Sequence, residues 1–556
     1  MVKRARESSD GNEASSKRIK PTDVDRLSRL SDELTLRVLS FLPTSQLVVC
    51  ERLAHKYRVL AGDGQLWKQR FYERFVQPRA SKYPGLKDDE ATEENARSTA
   101  RSSRWLKDEH LLKQGAKMNW KRQYKLRHNW TQGSAVVSEI PVAEESTIPP
   151  VLVQMHVGVI YMADTDGLRA WSTKGERKMV AKIDFKAASA ESPPAALAIG
   201  TADSISRISV GFENGAFSVF NLDQDQAQFS HQYSHAASSN GVISATAVSW
   251  PYVVTMTATQ LLSLYRFGKH NESQKVLDPP RLLHSLKSNT IWPPLSTSLR
   301  TTEASITITV AYALPTYLSG WTVGLQEVKV SHKGDLIESR LASSIGQHYR
   351  PLAFSVPPLM QHLSIPSNTT QTSSTTVELR HIHLKPTSLS YTHPYLLVSH
   401  PDNTLTLYLV TSTAESLSIS AGSRLWGHTS SVSGAHVGDR GRAVSVSTRG
   451  DELRLWELEG GFASSAAKKR LAAVDLSVRV RSGLRREATD SKAAELNLAT
   501  QALSARGTGS CASEHRLENE SELTLTRGWV GFDEENVVVL KEQSQGRQAL
   551  VVYDFT

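Results

Sequence analysis

Residues 441–458 read GRAVSVSTRGDELRLWEL. Two apolar runs, Ala443–Ser447 and Leu453–Leu458, stand on either side of a turn at 449–451, whose sequence is Arg-Gly-Asp. Alternating apolar residues separated by a Gly- and Asp-containing turn are typical of two antiparallel strands. We therefore predict a β-hairpin at this position.

The same pattern recurs along most of the chain. Each further pair of short apolar runs is joined by a turn rich in Gly, Asn, Asp or Pro. These pairs are Val159–Ala163 with Leu168–Trp171, Ile208–Gly211 with Phe217–Leu222, Tyr252–Met256 with Leu261–Phe267, Ile306–Tyr312 with Trp321–Val330, Tyr395–Ser399 with Thr404–Val410, and Val537–Leu540 with Leu550–Phe555. From about residue 135 onward the chain is therefore predicted to be all-β.

Aromatic residues close most of the second strands at a nearly constant spacing. Trp171 and Phe220 are 49 residues apart, Phe220 and Tyr265 are 45 apart, and Tyr408 and Trp456 are 48 apart. A period of this size with hairpins in each unit indicates a β-propeller. We predict about seven blades over residues 135–556.

The ring also needs a closing strand. A closed ring leaves no exposed sheet edge. We therefore expect a strand near Ala135–Ile140 to pair with the last blade.

The sixth unit resembles a WD repeat. Gly427-His428 precedes the segment that ends in Trp456-Glu457, where that family ends in Trp-Asp. The resemblance implies that a turn Asp bonds the His and fixes the blade. The corresponding position here is Gly450, and Asp451 comes one residue late, so we do not expect the usual network in this blade. Asp402 in the fifth unit and Asn214 in the second occupy the corresponding place.

One long insertion precedes the last hairpin. Residues 461–528 contain eleven Lys or Arg, eight acidic residues, many Ala and Ser, and little periodicity. Loops of this length are usually disordered or functional. We predict a low-complexity insertion without a specific ligand.

Three short helices are predicted near the N-terminus. Ser31-Asp32-Glu33 is a typical helix start. Apolar residues then recur every four positions, at Leu30, Leu34, Val38 and Leu42, and Pro43 ends the helix. A second helix is predicted from Thr44 to about Gly62, and a third after the capping residue Asp63. Helices this short are unstable alone in water. Together they indicate a module whose remaining apolar surface is covered by a partner.

Residues 26–76 resemble the F-box. The matching positions include Leu34, Val38-Leu39, Leu42-Pro43 and Leu66-Trp67, whereas Ser31 stands where the family usually has Pro. Tyr57 replaces a usual Trp. The resemblance implies docking on the Skp adaptor of a cullin-RING ubiquitin ligase. The residues predicted to form or support that contact are Leu30, Leu34, Val38, Leu39, Leu42, Pro43, Leu47, Leu53, Leu66 and Trp67.

Residues 77–134 are predicted to be a helical, basic linker. Within 101–130, nine Lys or Arg face two acids, and four aromatic residues are interleaved: Trp105, Trp120, Tyr124 and Trp130. Such a stretch could stack on nucleic acid. The near-helical spacing instead favours aromatic rings that pack inward, with basic side chains along the surface.

The order of the segments resembles F-box/WD-repeat proteins, the substrate receptors of Skp–cullin–F-box ubiquitin ligases. The predicted fold class is α+β multidomain, with a disordered basic tail over 1–25, the F-box, the linker and the propeller. The implied partners are a Skp-type adaptor, the cullin-RING ligase and an unknown protein substrate. Two alternatives remain: a nuclear propeller scaffold without a ligase role, and a nucleic-acid-binding protein.

The predicted receptor has no catalytic role. The sequence has no phosphate-binding Gly-rich loop, zinc-ligand spacing or nucleophile elbow, so we expect no enzyme activity, no cofactor and no metal. Receptors of this kind often hold a phosphorylated segment with Arg, whose planar fork suits phosphate. Candidate arginines near the blade strands are Arg207, Arg350, Arg424 and Arg442. Arg424 and Arg442 are the preferred candidates because they flank the best-formed repeat. The alternative is that both are ordinary surface arginines.

Composition limits the remaining classes. The chain has 556 residues, 39% hydrophobic and 22% charged, which excludes wholesale disorder. No apolar run is long enough to span a bilayer, and the N-terminus does not resemble a secretory signal. The two cysteines, Cys50 and Cys511, cannot form a disulfide framework. The net charge of +9 favours acidic partners.

The basic tail generates the first testable prediction. Its two clusters, Lys3-Arg4-Ala5-Arg6 and Lys17-Arg18-Ile19-Lys20, resemble a bipartite nuclear-import signal. We expect the protein in both nucleus and cytoplasm. Replacing Lys17, Arg18 and Lys20 with Ala should move a fluorescent fusion to the cytoplasm. An unchanged distribution would show that the tail is only a solvated leader.

Overall fold

The computed structural model describes residues 30–77, 119–175, 177–185, 192–202, 205–223, 227–268, 277–288, 291–316, 320–344, 385–413, 415–438, 441–458, 477–482, 523–543 and 546–556. The described residues form two compact units, one up to Tyr124 and the other from Lys125 onward. The basic tail, Trp105 and Arg350 lie outside the described residues. The predicted domain boundaries stay predictions.

The first unit is a small group of helices. The described elements before the propeller are α1 (Asp32–Phe41), α2 (Thr44–Cys50), α3 (His55–Ala61), α4 (Gly64–Phe71), a π-helical turn (Tyr72–Val76), and α5 (Trp120–Gln132), which continues into the second unit. The start of α1 is as predicted, because the Ser31 hydroxyl accepts from the Leu34 N–H at 3.4 Å. Leu42 is extended, as expected for a residue before proline, and this ends α1.

The predicted second helix is in fact two helices. Residues 51–54 interrupt it, and Ala54 is extended just before α3. A continuous α-helix would place Leu47 and Leu60 about 140° apart around its axis. Both side chains instead lie in the same core. The break therefore lets α2 and α3 bury their apolar residues on one side.

Polar contacts tie the helix ends to this core. Arg70 Nη2 donates to the carbonyl oxygens of Ser40 at 2.5 Å and Leu42 at 2.6 Å, at the C-terminal end of α1. Trp67 Nε1 donates to the Ala61 carbonyl at 2.7 Å. The predicted cap Asp63 accepts from the backbone N–H groups at the start of α4. Carbonyls that α1 and α3 leave open are thus paired with side chains from α4.

The second unit is a seven-bladed β-propeller, as predicted. Blades one to four are four-stranded sheets in chain order: β2 (Leu152–His156), β3 (Val159–Ala163), β4 (Gly167–Ser172) and β5 (Met179–Asp184); β6 (Pro194–Ala202), β7 (Ile205–Phe212), β8 (Phe217–Asp223) and β9 (Gln228–His235); β10 (Ile243–Ser249), β11 (Tyr252–Thr257), β12 (Leu261–Arg266) and β13 (Arg281–Lys287); β14 (Trp292–Thr301), β15 (Ile306–Thr316), β16 (Gly320–Val330) and β17 (Leu336–Ser343).

Blade six is also four-stranded in chain order, whereas blades five and seven each contain a fifth strand. They comprise β18 (Ser388–Thr392), β19 (Tyr395–Ser399), β20 (Leu405–Ser412), β21 (Leu417–Ile419) and β22 (Ser423–Leu425) in blade five; β23 (Val432–Val437), β24 (Arg442–Ser447), β25 (Leu453–Glu457) and β26 (Ser477–Arg479) in blade six; and β28 (Leu523–Phe532), β29 (Asn536–Gln543), β30 (Gln548–Asp554), β1 (Ser134–Ala143) and β27 (Arg481–Ser482) in blade seven. All seven predicted hairpins are confirmed.

The first and last strands of the unit close the ring. Strand β1 pairs antiparallel with β30, from Val136 opposite Asp554 to Ile140 opposite Leu550. The predicted closing strand is therefore confirmed. The first strands of blades one to six and β28 pack against one another from blade to blade. These strands form the inner wall of the ring.

The apolar core of the ring lies between blades. In the described residues, each of the seven pairs of neighbouring blades shares one buried apolar cluster. For example, Phe212 and Phe220 of blade two pack with Leu168 of blade one. Because each sheet has two apolar faces, a blade is fully covered only when both neighbours are present.

The second half of α5 belongs to this core. Trp130 stacks on Phe555 with 4.5 Å between ring centroids, and its Nε1 donates to the Glu534 carbonyl at 2.9 Å. Arg127 is buried and pairs with Glu457 at 3.1 Å. The inward packing predicted for Trp130 is therefore confirmed.

Blade six forms a WD-type network with an unexpected acid. The Trp456 indole donates to the Ser445 hydroxyl at 2.7 Å, and His428 Nε2 lies 2.5 Å from the same oxygen. The carboxylate of Glu452, two residues after the predicted turn position, lies 3.5 Å from His428 Nδ1. The longer side chain of Glu compensates for its later position in the turn. The Trp–Ser–His part of the network is therefore present, whereas the predicted turn position, Gly450, carries no acid.

Hydrogen bonds keep this buried Glu charged. Burial by itself would raise the pKa of Glu452, but hydrogen bonds from Thr429 and Arg454 outweigh it and lower the pKa to about 2. In blade five, the predicted Asp402 accepts from the Thr404 N–H at 2.9 Å and from its hydroxyl at 2.6 Å. Asp402 thus holds the backbone of its own turn, whereas Glu452 accepts from the Thr429 N–H at 2.8 Å, 23 residues earlier in the chain.

The insertion predicted over 461–528 is shorter than expected. Strands β26 and β27 lie inside it, and β28 begins at Leu523. Strand β26 is short, and its sequence Ser-Val-Arg has no apolar alternation. Its residues pair with Trp456 and Leu455 of β25. This pairing makes the segment a strand, although its own sequence does not indicate one.

Acidification should destabilise the propeller through two buried histidines. Burial lowers the pKa values of His400 and His428 to about 4. Between pH 6.5 and 4 the unfolded chain therefore binds more protons than the folded protein. The free energy of unfolding falls as the pH drops through this range. Each histidine contributes up to about 1.4 kcal/mol per pH unit. Replacing His428 with Gln should make the pH dependence of urea unfolding shallower by about one proton.

The matched control is His55→Gln, because His55 is exposed at the start of α3. That variant should keep the wild-type slope between pH 5 and 6.5. Identical slopes for His428→Gln and wild type would contradict the assignment of the buried neutral histidine.

Candidate functional site: the exposed apolar surface of the helical unit

The outer side of α1 carries an apolar stripe that the helical unit does not cover. Leu34, Val38 and Phe41 are 56%, 48% and 73% exposed. Their spacing of four and three residues places them on one face of the helix. Helix α1 therefore presents a continuous apolar row to solvent.

Further large apolar side chains of the unit are exposed on α2, α3 and the turn between them. We call the whole set the apolar surface: Leu34, Val38, Phe41, Val48, Val49, Leu53 and Val59. Exposed apolar residues in such number on so small a unit mark an interaction site.

The residues predicted for adaptor contact fall into three groups by exposure. Leu34, Val38, Pro43 and Leu53 are exposed, Leu30 and Leu42 are half-buried, and Leu39, Leu47, Leu66 and Trp67 are buried. The exposed group can touch a partner directly. The buried group can act only by supporting the helices, and the contact itself stays a prediction.

The predicted set omitted four exposed residues. Phe41, Val48, Val49 and Val59 belong to the apolar surface. Phe41 was visible in the sequence as the next position of the α1 stripe. The break between α2 and α3 determines the exposure of Val59, and no local pattern indicates it.

Charged side chains hold the rim of the apolar surface in place. Lys56 Nζ lies 3.2 Å from the Asp32 carboxylate and donates to the Leu30 carbonyl at 2.7 Å, linking α3 to the start of α1. The Arg37 guanidinium lies over the Phe41 ring, 5.1 Å from its centroid. This contact keeps an exposed aromatic ring beside a cation.

The first half of α5 supports the same unit from within. Tyr124 is buried, with its ring centroid 5.3 Å from that of Trp67 and 5.4 Å from that of Phe75. The Trp120 ring packs on Phe71 at 5.6 Å. These rings are engaged in packing, which supports the interpretation of the aromatic residues as core residues and leaves them unavailable for stacking on bases.

The propeller arginines lie away from the inner wall. Arg424 is on β22, which pairs with β20 at the outer side of blade five, and Arg442 begins β24 and lies over the Trp130 ring at 5.3 Å. Arg207 is buried and lies over Trp250 at 3.9 Å. The structure therefore does not bring Arg424 and Arg442 together at the channel. Their role in substrate binding stays a prediction.

The described residues contain no cluster of three or more His, Cys, Asp or Glu that could hold a metal ion. None of the described helices is long and apolar enough to cross a membrane.

A family model described as the F-box protein pof12 beta-propeller matches residues 135–556. The chain belongs to this family. The match covers the whole propeller, and the helical unit with its F-box-like sequence precedes it. No curated protein matches the chain.

Solved propellers resemble the chain at low identity. The WD40 beta propeller domain of Doa1 is 10% identical and covers 76% of this chain and 96% of its own, with a TM-score of 0.35. The Cps50 (Swd1) propeller of Myceliophteria thermophila is 9% identical over 76% and 100%, with a TM-score of 0.38. Sqt1 of Saccharomyces cerevisiae is 8% identical over 75% and 97%, with a TM-score of 0.36.

The buried group predicts a stability effect that is separate from any docking effect. Leu47 is fully buried in the helical core. Replacing it with Ala should destabilise the helical unit by about 2–5 kcal/mol. Hydrogen exchange of α1–α4 should then accelerate. The exposed Val49→Ala variant of the same helix should leave exchange unchanged, and equal acceleration in both variants would contradict the assigned burial.

Proposed function

We propose that this chain is the substrate-recognition subunit of a Skp–cullin–F-box ubiquitin ligase. In this proposal, the apolar surface of the helical unit docks on a Skp-type adaptor, and the propeller holds the target protein. The observation that carries the proposal is the exposed apolar row of α1 at F-box positions. Membership of a family described by an F-box protein supports it.

The energetics favour a partner on the apolar surface. Burying a Leu-sized side chain contributes about 1.5–3 kcal/mol. Leu34, Phe41 and Leu53 are each more than half exposed, so they contribute little of this free energy to the isolated unit. Burial against a helical adaptor surface would supply the remainder. The small core beneath the surface then positions the helices for the partner.

The proposed contribution of the chain to ubiquitin transfer is positional. By holding a target near the charged ubiquitin of the ligase, the receptor raises the effective concentration of a target lysine. The proposal requires no bond-making group in the chain. A rigid propeller suits this task because its loops can vary while the blades keep their positions.

Adaptor binding is tested by removing two exposed leucines. The double variant Leu34→Ala and Leu53→Ala should bind a purified Skp-type adaptor at least about a hundredfold more weakly, because two buried apolar contacts are lost. Both side chains are exposed, so the folded unit should be unaffected. Isothermal titration calorimetry of the full chain measures the affinity.

Gln65→Ala is the matched control, since Gln65 is exposed on α4 and is not part of the apolar surface. This variant should bind as wild type does. If the double variant keeps wild-type affinity, or if wild type does not bind the adaptor, the scaffold alternative replaces the ligase function.

A further inference from the structure

The outermost strand of blade four presents an open edge. In the described part of the chain, β17 ends the sheet order β14-β15-β16-β17 and pairs only with β16. Every second residue of an edge strand directs its backbone N–H and C=O groups away from the sheet. The free edge of β17 can therefore accept one more strand.

The same strand carries large apolar side chains in solvent. Ile337 and Leu341 are 56% and 61% exposed, and Ser339 between them is also exposed. Residues two and four positions apart lie on one face of a strand. Leu336 is 44% exposed beside them, where the register with β16 shifts. Long apolar edges are usually avoided in proteins, so an uncovered one marks an interaction site.

The other face of β17 is held firmly against the propeller. The Arg340 side chain is only 10% exposed, its Nη1 donates to the Thr413 carbonyl at 2.8 Å, and its Nη2 pairs with the Glu327 carboxylate at 2.5 Å. The Glu338 carboxylate pairs with Lys329 of β16 at 3.1 Å. Pairing with another strand would therefore require little ordering of β17.

Other outer strands of the ring differ from β17. Strand β13 has exposed Arg281 and Lys287 at its ends, and antiparallel self-pairing about His284 would place these cations opposite each other. In β9, the Gln232 carbonyl already accepts from the Leu277 N–H at 2.9 Å. Strands β21 and β26 have only three residues each. Compared with these strands, β17 combines length, apolar exposure and an open edge.

The sequence of β17 is complementary to itself in one antiparallel register. Pairing about Ser339 places Ile337 opposite Leu341 of a second copy and Glu338 opposite Arg340, and the two-fold axis repeats both pairs. Pairing about Glu338 or Arg340 would instead place two like charges opposite each other. Directly opposite side chains have Cβ atoms about 4.5–5.5 Å apart, so the apolar pairs can bury each other.

We propose that this protein forms a two-fold dimer in which β17 of each copy pairs antiparallel about Ser339. We call this the β17 interface. The occupant is a second copy because the apolar and the charged positions of the strand match those of the same strand. The inference does not rest on the ligase function. A single strand pair is at the small end of specific interfaces, so we expect a micromolar Kd.

The dimer and its register are tested together by two double variants of the full chain. Ile337→Lys with Leu341→Lys places lysine opposite lysine in both pairs, whereas Ile337→Lys with Leu341→Glu places lysine opposite glutamate. Sedimentation equilibrium should show a wild-type dimer at about 10–100 μM. The like-charge variant should dimerise at least about tenfold more weakly than wild type, and the matched-charge variant at least about tenfold more tightly than the like-charge variant.

Leu282→Lys is the matched control, because Leu282 is 51% exposed on β13 of blade three. It should dimerise as wild type does. All these substitutions are at exposed positions, so the urea unfolding midpoint of the monomer, measured well below the Kd, should stay unchanged. A variant that fails this check is replaced by Leu341→Lys alone.

A wild type that stays monomeric over this concentration range would overturn the proposal. Equal weakening of the two double variants would also overturn it, because the contact would then not have the proposed register. Dissociation by Leu282→Lys, or a like-charge variant with wild-type affinity, would place the dimer contact on another surface. Adaptor affinity is measured on the like-charge variant and should not change, so failure of the β17 interface is distinguishable from failure of the ligase function.

Discussion

Each propeller blade has two apolar faces, and both can be buried only between two neighbouring blades. In the described residues of the propeller, the buried apolar clusters lie at the seven junctions between blades, and none of them belongs to one blade alone. The ring must therefore close before any blade is fully stable. Strand β1 provides the closure by pairing with β30, although about four hundred residues separate them. The position of every surface loop depends on this closure.

The helical unit faces the same constraint without a ring to satisfy it. Its core holds Leu39, Leu47, Leu60, Leu66 and Trp67, with Tyr124 from α5. A core of this size leaves much apolar surface on short helices uncovered. In the ring, a neighbouring blade covers such a surface. In the helical unit, the outward row of α1 remains exposed, and a partner protein is the proposed cover.

Polar groups within the blades show how a motif can be preserved by different residues. Glu452 replaces the expected turn Asp, and its charge is maintained by Thr429 and Arg454. Asp402 has a second task, because it also accepts a hydrogen bond from Arg424 at 3.3 Å. The same kind of turn acid that stabilises a blade can therefore also orient a surface cation.

The all-β propeller, its seven hairpins, the closing strand and the stripe on α1 could be predicted from the residues, because alternation and helical spacing are local properties of the chain. The separation of α2 and α3 could not, since it depends on Leu47 and Leu60 sharing one core. Tertiary structure also decides that Glu452 lies beside His428, because side-chain length and turn geometry act together. The exposure of Val59 depends on the break between α2 and α3, and no local pattern encodes that.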